Sequence, residues 1–298
     1  MSFIPIDDDD IPAGRALRAE FSRFWSTERG EPRAVYDKFI AATPIAADIT
    51  AERIADDPGP GIWVRPAGAA PDRAVLFVHG GGYGLGSAPA YIGLVSQIAA
   101  RAGISVFALD YPLAPEAQVP EALDLAVATL RGLCSTHAAV AIAGESAGGG
   151  LSLATAARAV QEGLNVAAVS VFSPWTDLSL SGASVREHAV GDPLLDPAYL
   201  RDSAAAYLGP AAPDDPRASP LFGVTEGLPP LLIQVGTDEI LLDDSRRFAD
   251  AVTSSGGTAR LEVWQGMHHV FQLNVEQLVS ARRALDNAAE FLAVHLAG

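Results

Sequence analysis

The feature that most constrains this chain is an alternation of two periods. Short runs rich in Val, Ile, Leu and Phe are separated by longer Ala- and Leu-rich stretches with helical spacing. A parallel neighbour can be reached only by a crossover connection, so strands interleaved with helices build βαβ units and a mostly parallel sheet. The predicted strands are Ala74–Val78, Ser105–Leu109, Val140–Ala143, Ala167–Phe172, Leu231–Val235 and Arg260–Val263. The spacing therefore predicts an α/β architecture with a central sheet flanked by helices.

The residues just beyond each strand carry the chemistry. In order, they are His79-Gly80-Gly81-Gly82, Asp110-Tyr111, Gly144-Glu145-Ser146, Ser173-Pro174-Trp175, Gly236-Thr237-Asp238 and Gly266-Met267-His268-His269. Ligands of open α/β sheets bind outside the carboxyl ends of the strands, where connecting loops converge on a rigid platform. Two segments fall outside the alternation. Residues 1–50 carry an amphipathic pattern, with Leu17, Phe21 and Phe24 at i, i+4 and i+7 and Trp25 beside them. Residues 177–225 insert a helical pattern, Pro197 to Leu208, between two strands. Together they suit a helical cap over a catalytic domain made of residues 51–176 and 226–298. Core packing is the plainer reading of any single aromatic among them.

Gly144-Glu145-Ser146-Ala147-Gly148 has the G-x-S-x-G form, in which small neighbours let a serine project from a strained strand-to-helix turn. The pentapeptide is short enough to arise by chance; its setting, between an apolar strand and an Ala/Leu helix, gives it weight. The helix N-terminus also brings free N–H groups and partial positive charge beside Ser146, where an oxyanion would form. The run His79-Gly80-Gly81-Gly82-Tyr83 lets the backbone approach a ligand closely and aim successive N–H groups at it. A dinucleotide loop fails on spacing, since the third glycine of G-x-G-x-x-G would fall on Leu85, Ser87 or Pro89. An acid and then a histidine are expected downstream of the serine. Asp238 and one histidine of the pair His268-His269 stand at successive strand ends. Asp243 and Asp244 are rivals for the acid but fall about a turn into the next helix. Periodicity does not choose between the histidines, because adjacent extended residues point to opposite sides.

Composition narrows the function further. In 298 residues, 36 acidic side chains oppose 20 basic ones, for a formal net charge of −16. A polyanion or an anionic membrane is repelled at long range, so no nucleic-acid partner is expected. Lys38 is the one lysine, which removes a Gly-Lys-Ser/Thr phosphate loop. The single cysteine, Cys134, cannot form an internal disulfide. With His137 it offers half a metal site at most, so no metal or cofactor is expected. Ala138–Ala157, the longest weakly polar stretch, holds Glu145 and four glycines and reads as strand, turn and helix, not as a membrane span. The start, Met1-Ser2-Phe3-Ile4-Pro5-Ile6 running into Asp7–Asp10, lacks the basic and apolar regions of an export signal. A cytoplasmic location is the expectation.

From about Ile62 onward the chain resembles the hormone-sensitive-lipase-like branch of the α/β-hydrolase superfamily. The marks are the His79–Gly82 run, Asp110-Tyr111-Pro112-Leu113-Ala114-Pro115-Glu116, Gly144–Gly149, Ser173-Pro174-Trp175-Thr176-Asp177, Gly236-Thr237-Asp238 and Gly266-Met267-His268-His269-Val270-Phe271. The resemblance implies an α/β-hydrolase fold with a helical cap. In that family the histidine follows Gly-Met by one residue and precedes the aromatic by one, which selects His269. It implies Ser146 as nucleophile, Asp238 as orienting acid, and the N–H groups of Gly81, Gly82 and Ala147 as oxyanion hole, with His79, Gly80 and Glu145 in support. Glu145 stands where Asp is usual and Pro112 where Arg is usual, changes expected to touch loop support. The expected activity is hydrolysis of short- to medium-chain carboxylic esters through an acyl-enzyme. Lactone or amide hydrolysis would use the same residues, and a non-catalytic binding protein on the same scaffold is the alternative of another class. A homodimer is implied only by the resemblance.

Overall fold

The structure is a computed structural model that describes the whole chain except residues 188–190. Nine strands form one sheet: β1 (Ser2–Ile4), β2 (Ile49–Ile54), β3 (Gly61–Pro66), β4 (Ala70–Val78), β5 (Ile104–Leu109), β6 (Ala139–Glu145), β7 (Val169–Phe172), β8 (Leu231–Gly236) and β9 (Ala259–Trp264). Their order is β1-β9-β8-β7-β6-β4-β5-β3-β2. All six predicted strands are present. The three that periodicity did not separate lie at the sheet margins: β2 and β3 join antiparallel at one edge, and β1 pairs parallel with β9 at the other. From β5 through β4, β6, β7, β8 and β9 the pairing is parallel throughout.

The helices are α1 (Asp10–Thr27), α2 (Pro32–Ile40), α3 (Ile92–Ala102), α4 (Glu121–Thr136), α5 (Ser146–Glu162), α6 (Ala183–Glu187), α7 (Pro197–Leu208), α8 (Leu242–Ser254) and α9 (Val279–Ala297). Successive strand residues face opposite sides, so the sheet supplies two cores. Leu76, Val78, Ile142 and Ile233 pack under α4, α5 and α8, while Val75, Phe77, Ala141 and Leu232 pack under α3 and α9. The strand β6 and the buried helix α5 meet at Ser146, and small residues allow the approach: a Cβ on Gly148 would lie 2.2 Å from the carbonyl oxygens of Val78 and His79.

The two segments outside the alternation close over the strand ends. Helix α1 buries Leu17 and Phe21 against Trp264, Met267 and Phe271, each such side chain being worth about 1.5–3 kcal/mol when withdrawn from water. The buried Asp10 carboxylate accepts the N–H groups of Val279 (2.7 Å) and Ser280 (2.9 Å), meeting the open N-terminus of α9 and fixing where α1 starts. Helix α7 spans the predicted Pro197–Leu208, started by Pro197 and capped by the Asp196 side chain, which accepts from the N–H groups of Ala198 and Tyr199. Residues 188–190 of the expected insertion lie outside the described residues.

Candidate active site

Ser146 sits where β6 turns into α5, with φ of 54° in the left-handed region that non-glycine residues rarely adopt. Such a conformation persists only where the surroundings impose it. Here the small helix face and the β4 carbonyls do so, and the hydroxyl is raised out of the sheet. Its Oγ lies 2.9 Å from His269 Nε2. Of the adjacent histidines, His269 faces the serine. His268 is turned away, with Nε2 2.9 Å from Asn274 Oδ1 and its ring edge-on to Phe21. Burial pushes the His268 pKa down to about 4, so it is neutral at physiological pH.

At the expected acid the geometry departs from the sequence reading. Asp238 does not reach His269; its Oδ2 accepts from Arg18 Nη2 at 2.6 Å, on the outer side of the turn after β8. The next residue turns inward. Glu239 Oε2 lies 2.8 Å from His269 Nδ1, and Oε1 accepts from Ser173 Oγ at 2.7 Å and from the Gly236 N–H at 2.8 Å. Glu239 is fully buried. The rivals Asp243 and Asp244 serve elsewhere: Asp243 accepts the Ser184 N–H, while Asp244 accepts those of Thr176 and Asp177 and is pushed up to about 7 by burial. The elbow order admits Asp or Glu, and Glu239 directly follows the expected acid, so its residue type was a visible signal. Which of two neighbours turns inward is set by the turn, and no side-chain period reports that.

Ser173, which the sequence places at a strand end without assigning it a role, is a second contributor. Its hydroxyl donates to Glu239 and accepts the Val270 N–H at 3.1 Å, joining the acid to the histidine loop. Both Ser173 (φ 46°) and Val270 (φ 49°) hold left-handed conformations, so the hydroxyl bridges two constrained turns. A carboxylate accepting three hydrogen bonds keeps the proton on His269 Nδ1 and leaves Nε2 free to accept from Ser146. Burial lowers the His269 pKa, but the hydrogen bond and charge of Glu239 outweigh it, and Asp192 and Glu145 add to the rise, so the net direction is above 6.5.

The glycine loop lies on the other side of Ser146. Gly80 donates its N–H to Glu145 Oε1 at 2.5 Å, and a Cβ at Gly80 would meet that same oxygen at 2.3 Å. Burial pushes the Glu145 carboxyl upward. Gly81 has φ of 103°, and a Cβ there would lie 2.3 Å from the Leu85 carbonyl oxygen, so only glycine fits. His79 stacks on Tyr111 at 4.3 Å, whose hydroxyl donates to the His79 carbonyl, and burial lowers the His79 pKa to about 4. His79 is therefore a neutral support beneath the loop. Ala147 is the second residue of α5, in the first turn, whose N–H groups have no partner within the helix. Pro112 is exposed and does not line the cavity that holds Ser146.

Gly81, Gly82, Ser146 and His269 line one cavity of about 260 Å³. Its walls are apolar, with Trp25, Tyr36 and Phe39 from the first segment and Leu194, Leu195 and Tyr199 from the insertion. No cluster of three or more potential metal ligands occurs among the described residues, and no helix there is long and apolar enough to cross a membrane. Cys134 donates to the Asn165 carbonyl and His137 packs on Trp63.

Comparison with known proteins places this geometry. The sequence model of a family described as having the alpha/beta hydrolase fold matches residues 75–273. An acetyl-hydrolase of Streptomyces hygroscopicus is 42% identical over 235 residues, covering 77% of this chain and 78% of the relative. An esterase of Acinetobacter venetianus is 36% identical over 230 residues, 76% of each chain. The crystal structure of an esterase from the bacterial hormone-sensitive lipase family superposes with a TM-score of 0.89 at 35% identity, over 96% of this chain and 98% of that one. The chain belongs to the hormone-sensitive-lipase-like branch of the α/β-hydrolase superfamily and is a serine ester hydrolase.

Proposed function

We propose that Ser146, His269 and Glu239 form the catalytic triad and that the chain cleaves short- to medium-chain carboxylic esters. The observation that carries this reading is the unbroken relay from Ser146 Oγ through His269 to Glu239, with links of 2.9 and 2.8 Å, beside a glycine loop in an apolar cavity. His269 Nε2 takes the serine proton as Oγ attacks the ester carbonyl, and Glu239 stabilises the imidazolium that forms. The Gly81, Gly82 and Ala147 N–H groups hold the oxyanion of the tetrahedral intermediate. Nε2–H then protonates the leaving alkoxide, and the same imidazole activates water to release the acid from the acyl-enzyme. These steps require only protein groups and water.

Substrate size is limited by the cavity. At about 260 Å³ it lies near the lower end of small-molecule pockets, with apolar walls that favour an aliphatic or aromatic acyl group of modest length. Helices α1 and α2 within residues 1–50, and the part of 177–225 from Leu194 through α7, act as the cap over the sheet domain, since both supply cavity walls, whereas β1 and the start of β2 belong to the sheet and not to the cap. The test is hydrolysis of p-nitrophenyl esters from acetate to laurate by the wild type and by Ser146→Ala. Serine-dependent turnover, greatest for the shorter chains, is expected. Turnover that survives Ser146→Ala, or a preference for laurate, overturns the reading.

A further inference from the structure

The turn that carries Glu239 is held from both sides by side chains that are not part of the hydrolase sheet. Arg18, on α1, uses one guanidinium nitrogen to hold Asp238 at 2.6 Å and the other to hold the Gly191 carbonyl at 3.1 Å. Asp192, on the inserted segment, accepts the N–H of Ile240 on Oδ2 at 3.1 Å. Its other oxygen accepts the N–H groups of Leu194 (2.8 Å) and Leu195 (3.1 Å), both of which line the cavity. The residues immediately before and after Glu239 are thus each gripped by a different segment, and Arg18 ties those segments to one another. Thr237 extends the connection: its hydroxyl donates to Asp238 Oδ1 at 2.9 Å and accepts the Gly266 N–H at 2.8 Å, at the root of the histidine loop.

We infer that Arg18 and Asp192 are positioning residues for Glu239, so that turnover depends on the two covering segments even for esters too short to need their apolar walls. The inference rests on Glu239 being the triad acid. Its physical basis is that a turn between two gripped neighbours has little freedom to rotate its side chain away from His269, and small misplacements of catalytic groups are costly. Asp238, placed next to the acid, does its work through this grip. The Arg18–Asp238 pair is one-third exposed on each side, and such pairs add little to global stability, so its effect on rate is separable from its effect on folding.

The test compares kcat and KM on p-nitrophenyl acetate and p-nitrophenyl octanoate for Arg18→Met, Asp238→Ala, Asp192→Asn and the Arg18→Met/Asp238→Ala double variant. Each single substitution is expected to lower kcat about tenfold on both esters and to change KM by less than about twofold, the signature of a lost positioning contact. The double variant should be no slower than the slower single, because both remove one contact. Arg18→Lys, which keeps the charge, should recover part of the loss. Unchanged kcat on acetate with a raised KM for octanoate would make these residues cavity supports only and overturn the inference. So would a fall in Tm with kcat unchanged, or fully additive losses in the double variant. Glu239→Ala, measured alongside, separates the two failures: if it is harmless, the triad reading itself is wrong.

Discussion

The serine elbow and the acid turn are both strand ends of the same sheet, yet they are built in opposite ways. Ser146 is fixed mainly by its own β6–α5 junction and by the glycines at 144 and 148, whose missing side chains let the carbonyls of the neighbouring strand β4 pack close. Glu239 depends largely on distant chain. Besides the nearby Gly236 N–H, its carboxylate is held by Ser173, and its flanks by Arg18, 220 residues before Asp238, and by Asp192. A local device is rigid by itself, whereas a device assembled from remote segments is as well placed as those segments are docked. On the proposed triad, the site therefore combines a locally built nucleophile with an acid whose placement is conditional.

The largest expected effect is at the histidine that the two regions share. His269→Ala should lower kcat by roughly 10⁴ to 10⁶, the range seen when a triad histidine is removed. His268→Ala should cost stability through its lost Asn274 and Phe21 contacts and less than about tenfold in rate. Steady-state kinetics beside a thermal melt distinguishes them, and a larger rate loss at His268 would mean that the observed ring orientation is not the working one. Next in size is the glycine loop. Gly81→Ala forces a Cβ to within 2.3 Å of the Leu85 carbonyl and should cost roughly 10² to 10³ in kcat, comparable to losing one oxyanion donor, with KM affected less.

The elbow and the glycine loop were legible in the sequence because both are short-range. Gly81 must be glycine for a reason within four residues, and Ser146 lies between a strand and a helix that periodicity alone marks out. The parallel strands were legible for the same reason, their buried faces giving continuous apolar runs. The marginal strands β1 and β2 were not: in β2 only the two ends, Ile49 and Ile54, are even partly buried, which leaves little pattern to read. Asp238 and Glu239 differ by one position and one methylene. No side-chain period says which turns toward His269, and the contacts that accompany the choice come from elsewhere: Asp238 pairs with Arg18 of another helix and Glu239 with Ser173 of another loop. Ser173 was hidden for a related reason, since its value lies in joining Glu239 to Val270 across the site.

A smaller effect sharpens the electrostatic side. His269 must be neutral to accept the serine proton, and Glu239 outweighs burial to hold its pKa above 6.5. Activity should therefore fall with decreasing pH through an apparent pKa above 6.5. In Glu239→Gln, which removes the charge at nearly constant shape, that acid limb should move to lower pH while the plateau drops. A pH profile of kcat/KM reads both, and an unmoved limb would mean that Glu239 does not govern the histidine.

The most direct measurement sets the two neighbours of the acid turn against each other: kcat on p-nitrophenyl acetate for Glu239→Ala and Asp238→Ala, each shown folded by its melt. The geometry predicts a loss of roughly 10³ to 10⁴ for Glu239→Ala, in keeping with removal of a triad acid, and about tenfold for Asp238→Ala. A greater loss at Asp238 than at Glu239 would contradict the account.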